Sequence, residues 1–457
     1  MDIDIPPAEF VPDLVLDMTS LSRWTGPPVG IARVEHALAQ AARRRCVFDG
    51  TAFRTLAPAW EAAIAGWHGT IADPPPDRPQ LNRQPLVMAL ERLRLTARSP
   101  AVARLADLAQ RTILWPKPHH FPLAGPDGAR IAVVPRDLAL GPPLKLGPQT
   151  TILSAGADWQ QEDGGTIATL KRRFGFRYAV LCYDLIPTTH PQFYLPKDVV
   201  HFRAHWRRTF AMADAVLFTA EAIAADARRF CAANGIPLPP SAIVPLGFDP
   251  PPRGPVPPLP KPLQHGRYAL FVSTIEPRKG HAMLLRVWRR LLQAGLPQQH
   301  DFHLVFVGRP GWMVDDLLPD IRATDRVVHL RPTGPVLHAL YAGAAFCLYP
   351  SAYEGYGLPL VESFSHGRAI IASTGGAIPE VAANLAPCLD AADEAAWENA
   401  IAGWMAEPAR RTPWEAAIAH GFHHPDWPTA AAAILAAAAA LTRPDSAAEP
   451  AIHAVGF

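Results

Sequence analysis

Residues 345–381 read AFCLYPSAYEGYGLPLVESFSHGRAIIASTGGAIPEV, and few architectures accommodate that string. An apolar run over 345–349 breaks at Pro350 and Ser351. Glu354 and a Gly355-Tyr356-Gly357 turn follow, then Pro359, whose fixed φ and missing N–H suit the first turn of a helix. Gly367 is placed to end that helix, because a C-terminal cap takes left-handed backbone. A second apolar run, 369–373, resumes at once. The pattern predicts a strand-helix-strand unit with a glycine-rich entrance.

Such an entrance has a chemical use. Glycine lets backbone approach a ligand closely, and the helix behind it presents free N–H groups and the positive end of its dipole. A diphosphate fits there, on the amides near Leu358 and Leu360. Glu354 stands just before the turn and Glu362 about one helical turn inside, and carboxylates accept hydrogen bonds from sugar hydroxyls. The economical reading is a nucleotide-sugar site, with one glutamate on the sugar and the other on the ribose.

Glu354 and Glu362, with seven residues between them, around GYGLPLVE and followed by STGGAIPEV, resemble the E-x7-E signature of retaining glycosyltransferases of family 4. That family has the GT-B fold. The resemblance implies an α/β protein of two Rossmann-like, doubly wound parallel-sheet domains facing across a cleft. It assigns Glu354 to the transferred sugar near its reacting carbon and Glu362 to the ribose, with Gly355, Tyr356, Gly357, Leu358 and Leu360 around the donor.

At 457 residues the chain is long for one domain, and two of roughly 200 residues each are expected. The boundaries expected are 1–249 for an acceptor-side domain with an insert at about 59–147, and 250–264 for a linker. A nucleotide-sugar domain over 265–426 and a closing helix with a loose tail over 427–457 complete the division. Eight prolines between Asp249 and Pro262 exclude a helix or central strand and make the linker stiff. A formal net charge of +2 gives no global reason to expect a nucleic-acid partner. Cys46, Cys182, Cys231, Cys347 and Cys388 are odd in number and lack a CxxC pair, which argues against a disulfide framework or zinc site and for a reducing cytoplasm. The start MDIDIPPAEF lacks the basic-then-apolar pattern of a secretory signal, and no uncharged apolar stretch reaches 18 residues. A soluble or peripheral protein is expected, cytoplasmic or at the inner face of the cytoplasmic membrane.

The first domain opens with the apolar run 14–16, a loop ending at Gly30, and GIARVEHAL, with apolar residues at helical spacing. The family resemblance places a glycine loop here over the cleft on the acceptor side; the bland alternative is a βα loop in which Gly30 only starts a helix. Residues 86–114 form a basic helical pattern that either docks on an anionic membrane surface or is a solvated face. The strand expected at 178–182 ends in Tyr183-Asp184, with His190 beyond. Ligands in open α/β sheets bind past the carboxyl ends of the strands, so these three residues are candidates for the acceptor side. The family often has a His-Asp pair where this chain has Tyr183-Asp184; Asp184 or His190 is the available substitute, and Asp184 could equally cap the next segment.

The second domain opens at 268–273, followed by Thr274 and the IEPRKG segment and a helix over 281–293. Arg278 and Lys279 stand at a helix N-terminus, where anions bind. The family has a matching basic pair that neutralises the donor diphosphate. Lys279 matches directly, whereas the family's arginine position is occupied by Ser273 or Thr274, leaving Arg278 or Arg309 to serve. Thr333 lies where the family's nucleotide base packs. No metal motif is needed; Asp315-Asp316 is the obvious acidic pair, expected on a surface helix.

The resemblance implies retaining transfer of a hexose from a nucleoside-diphosphate sugar to a glycan or lipid-linked glycan, without cofactor or metal. STIEPRKG and YDLIPTTHP resemble segments of enzymes that build bacterial surface polysaccharide and lipopolysaccharide, many of them mannosyltransferases, so GDP-mannose is the first donor expected. Three alternatives stay open: a nucleotide-sugar epimerase of the same fold, a glycogen-type phosphorylase or synthase, and a non-catalytic glycan-binding or scaffold protein.

Overall fold

Short, strongly apolar β-segments separated by helical segments leave a parallel sheet with helical crossovers as the natural solution. The computed structural model describes residues 14–22, 30–56, 140–160, 164–332 and 334–443, with isolated positions between 99 and 131 and residues 453–454. The basic pattern at 86–114 and Thr333 lie outside, or almost wholly outside, the described residues. The chain divides into two compact units, Leu56–Gly141 and the remainder. In the smaller unit, β4 (Leu123–Ala124) and β5 (Arg130–Ile131) pair antiparallel.

The larger unit holds two sheets. The first contains β1 (Leu14–Asp17), β2 (Arg45–Phe48), β3 (Phe53–Leu56), β6 (Leu140–Pro143), β7 (Thr151–Ser154), β8 (Arg177–Cys182), β9 (Ala215–Phe218), β10 (Ser241–Ile243) and β17 (His453–Ala454). Their order is β17-β10-β9-β8-β7-β1-β2-β3-β6. All the pairings from β17 to β2 are parallel, and β2 with β3 is antiparallel. Of the expected loose tail only His453 and Ala454 are among the described residues beyond 443, and they pair with Ala242 and Ile243.

The second sheet contains β11 (Tyr268–Val272), β12 (His303–Val307), β13 (Val327–Leu330), β14 (Phe346–Tyr349), β15 (Ile370–Ser373) and β16 (Cys388–Leu389). Its order, β13-β12-β11-β14-β15-β16, is parallel throughout. The order runs outward from β11 in both directions, so the sheet is doubly wound and reverses between β11 and β14. Its core gathers Trp288, Trp397, Phe271, Phe306 and Phe346, all essentially without exposed surface. Unbroken buried runs such as YALF and FCLY are what a strand covered on both faces requires.

The proline-rich segment carries no helix or strand. The helix Trp427–Leu441 starts with Asp426 accepting from the Thr429 amide at 2.9 Å and returns to the first lobe. There Thr442 Oγ1 meets Thr151 Oγ1 at 3.1 Å. A Cβ on Gly247 would lie 2.5 Å from the Trp427 Cα, so the crossing demands glycine. Asp315 and Asp316 sit in the exposed turn before the helix Leu317–Ala323, not on a helix face.

Candidate active site

In an open parallel sheet a ligand sits beyond the carboxyl ends of the strands at the reversal of strand order. Here that point is flanked by the segments after β11 and β14, residues 273–280 and 350–357. The two touch. A Cβ on Gly280 would lie 2.6 Å from the Pro350 carbonyl oxygen, and the Ala352 amide donates to the Arg278 carbonyl at 2.8 Å. The tight Pro277–Lys279 turn therefore sets Arg278 and Lys279 directly against Glu354.

Lys279 Nζ lies 2.6 Å from Glu354 Oε1, and an Arg278 guanidinium nitrogen 2.7 Å from Oε2. Arg278 also holds Glu276 at 2.7 Å. Arg278, Glu276 and Glu354 are all buried. Burial alone would raise the Glu354 carboxyl, but the charges of Arg278 and Lys279 overcome it and hold the group down at about 2. For Glu276 burial wins and the carboxyl is raised. Burial and the neighbouring Arg278 charge lower Lys279 against the pull of Glu354. The result is an anion fixed in position, with an ammonium beside it.

Arg278 takes a place other than the one expected. Arg278 is enclosed by Glu276, Glu354 and the Tyr353 carbonyl, so it braces Glu354 and is not presented to a diphosphate. Arg309 is exposed, on the loop whose carbonyl accepts from the Ile275 amide at 2.9 Å, next to Thr274. Gly357 has φ 110°, left-handed backbone that favours glycine, and is the N-cap of the helix Leu358–Ser365. The Leu360 amide already donates to the Gly357 carbonyl at 2.9 Å, which removes it from the expected phosphate set and leaves that role to Leu358 at the helix start.

Glu362 lies one turn into that helix with both oxygens engaged. Oε1 accepts from Arg33 and Oε2 from the Tyr341 hydroxyl, each at 2.8 Å. Tyr341 lies on the helix Gly334–Gly343 of the same lobe, whereas Arg33 reaches over from the helix Ile31–Ala41 of the first. Burial pushes the Glu362 carboxyl up, and Arg33, aided by the Tyr341 hydroxyl and His366, more than reverses this.

The first lobe closes the site from the other side. Gly355 has no room for a side chain, since a Cβ would lie 2.1 Å from the Tyr183 carbonyl oxygen and 2.9 Å from Asp184 Cβ. Its carbonyl accepts from Thr219 Oγ1 at 2.8 Å, which makes Gly355 a contact between lobes and not a phosphate cradle. Tyr183 does not face the cleft as expected. Its ring is buried in the first lobe and its hydroxyl donates to the Ala155 carbonyl at 2.6 Å, a partner that a buried phenol requires. Asp184 accepts from the Ile186 amide at 3.1 Å, the capping alternative, and is close enough for Arg278 to counter the upward push of burial on its carboxyl.

His190 lies against Tyr353, ring centres 4.4 Å apart, and the Tyr353 hydroxyl donates to buried Asp226 at 2.6 Å. Tyr356 points away toward the interlobe crossing, its hydroxyl 3.1 Å from His424 Nε2. Gly30, at φ 52°, heads the Ile31–Ala41 helix with open space around it. Among the described residues no cluster of three His, Cys, Asp or Glu side chains is arranged to hold a metal. No described helix is long and apolar enough to cross a membrane.

Glu276, Tyr341, Tyr353, Asp226, Thr219 and Arg33 were not expected in the site. Glu276 stood within the IEPRKG segment, Arg33 within GIARVEHAL and Tyr353 directly before Glu354, and these could have been suspected; Tyr341, Asp226 and Thr219 sit in ordinary helical or strand-end contexts.

Two doubly wound parallel sheets meeting at their carboxyl ends, with the basic-acidic cluster between, define the GT-B class of fold. Sucrose-phosphate synthase from Thermosynechococcus elongatus superimposes with a TM-score of 0.52 at 16% identity, over 94% of this chain and 96% of that one. Residues 266–407 match the family model described as glycosyl transferases group 1. O-antigen chain mannosyltransferase B of Escherichia coli is 36% identical over 118 residues, 25% of this chain and 30% of that protein. Phosphatidyl-myo-inositol mannosyltransferase of Mycolicibacterium smegmatis is 32% identical over 183 residues, 38% of this chain and 45% of its own length. Both matches span less than half of the relative's length.

Proposed function

We propose that this chain is a retaining hexosyltransferase that moves a sugar from a nucleoside diphosphate to a hydroxyl of a glycan or lipid-linked glycan. The observation that carries the reading is the Lys279–Glu354–Arg278 cluster at the strand-order reversal of the group 1 domain. Two relatives named as mannosyltransferases favour mannose, with GDP-mannose the first donor to try and bacterial surface polysaccharide the setting.

In this mechanism the bond between the sugar's C1 and the diphosphate oxygen breaks while the acceptor oxygen bonds to C1 on the same face. The acceptor's proton passes to the departing phosphate oxygen, and the nucleoside diphosphate leaves. Negative charge grows on that leaving group, where Lys279, the Leu358 end of its helix and Arg309 supply positive potential without a metal. Glu354, kept ionised, orients the sugar and opposes the positive charge that develops at C1. Arg278 holds Glu354 in place; Glu362 takes the ribose; Asp184 and His190 line the acceptor side.

Titration calorimetry with GDP, UDP and ADP tests the reading and identifies the base. Micromolar binding of one nucleotide by the wild type, weakened at least about tenfold in Lys279→Ala by loss of a charge-assisted contact, is expected. No binding of any of the three by folded wild type overturns the donor assignment.

A further inference from the structure

We propose that Arg33 is a positioning residue for nucleoside recognition: it holds Glu362 from the opposite lobe, so that ribose is read only when the lobes are together. The inference rests on the assignment of Glu362 to ribose. Its basis is geometric. Arg33 and Glu362 are 329 positions apart in the chain, yet a guanidinium nitrogen of Arg33 sits 2.8 Å from Oε1. The Glu362 side chain retains 16% of its surface and that of Arg33 22%, so water screens the pair only in part.

A carboxylate offers about four lone-pair positions. Arg33 uses one on Oε1 and the Tyr341 hydroxyl one on Oε2, which leaves one on each oxygen for the two neighbouring hydroxyls of a ribose. Tyr341 alone would leave the carboxylate able to pivot about its Cγ–Cδ bond. A second donor on the other oxygen locks the plane, and among the described residues it is the donor contributed by the first lobe. Arg33 also lies 3.8 Å from Asp249, at the point where the first lobe passes into the proline-rich segment. Its guanidinium thus ties the Ile31–Ala41 helix, the lobe boundary and the nucleoside-binding helix together.

The consequence separates from general stability. Arg33 should affect the ribose-dependent part of affinity and leave the diphosphate-dependent part alone. The test compares, by calorimetry, the nucleoside diphosphate the wild type binds best, its 2′-deoxy counterpart and inorganic pyrophosphate. Wild type, Arg33→Ala, Arg33→Lys and Glu362→Gln are measured side by side.

Wild type is expected to prefer the ribonucleotide over the deoxynucleotide by about tenfold. Arg33→Ala and Glu362→Gln should both bring that ratio close to one with pyrophosphate affinity unchanged, and Arg33→Lys should keep part of the preference. If Glu362→Gln loses the preference while Arg33→Ala keeps it, the inference fails and the ribose assignment stands. If Glu362→Gln keeps the preference, the ribose assignment itself fails and takes the inference with it. Equal loss of all three ligands in Arg33→Ala and Arg33→Lys would mark a purely structural role and also overturn the inference.

Discussion

Glu354 is the residue at which burial and charge compete most sharply. Burial favours its neutral form, yet Arg278 and Lys279 at 2.7 and 2.6 Å keep it ionised. The folded-state value of about 2 lies below the ordinary 4.5, so the ionised pair stabilises the fold fully above pH 4.5 and loses that contribution as pH falls toward 2. Glu354→Gln should abolish transfer and flatten this part of the acid-unfolding profile. Thermal midpoints between pH 6 and pH 2.5 check it: the gap between wild type and variant should be widest at neutral pH and shrink on acidification. A constant gap would mean that the carboxylate is not held by its cations. The identities of Glu354 and Lys279 were readable because both stand beside glycine and proline punctuation that only a particular local geometry explains. Tyr183 was misread because strand-end position says where a backbone ends and not which side of the sheet a ring takes.

At the scale of elements, the strands were the most legible part. YALFV, HLVFV, FCLY and IIAS are short apolar runs bounded by glycine, proline or polar residues, and each forms a buried parallel strand. The helix from Leu358 was equally plain from Gly357, Pro359 and Gly367. What could not be read was which loops touch. Gly355 looked like part of a phosphate turn, but its packing is against Tyr183 and Asp184, some 170 positions earlier in the chain. Gly355→Ala places a methyl carbon against the Tyr183 carbonyl, a backbone group that cannot rotate away, at a cost of about 1–3 kcal/mol. The variant should keep the second lobe folded, bind nucleotide more weakly and show a larger radius of gyration by small-angle scattering. Unchanged radius and affinity would show that this contact does not hold the lobes together.

For the whole molecule, the candidate site is built from contacts that no single lobe contains. Arg33 with Glu362, Thr219 with Gly355, Tyr353 with Asp226, and Glu380 accepting from the Glu221 amide at 2.8 Å all cross from one sheet to the other. Together they enclose the Lys279–Glu354 pair, which strengthens its electrostatics. The two-sheet architecture was legible from the alternation of strand and helix on either side of the proline-rich segment. The crossing contacts were not, since pairs such as 33 and 362 leave no local pattern. The most direct test of sugar transfer at this enclosed pair is proton NMR of GDP-mannose, UDP-glucose and ADP-glucose incubated with the protein in EDTA, with water standing in for the acceptor hydroxyl, following the anomeric signals of the released sugar. Turnover of one donor is predicted, GDP-mannose first, with the α-anomer appearing before mutarotation and with no turnover in Lys279→Ala or Glu354→Gln. First appearance of the β-anomer, or no turnover of any donor by folded protein, would contradict the account.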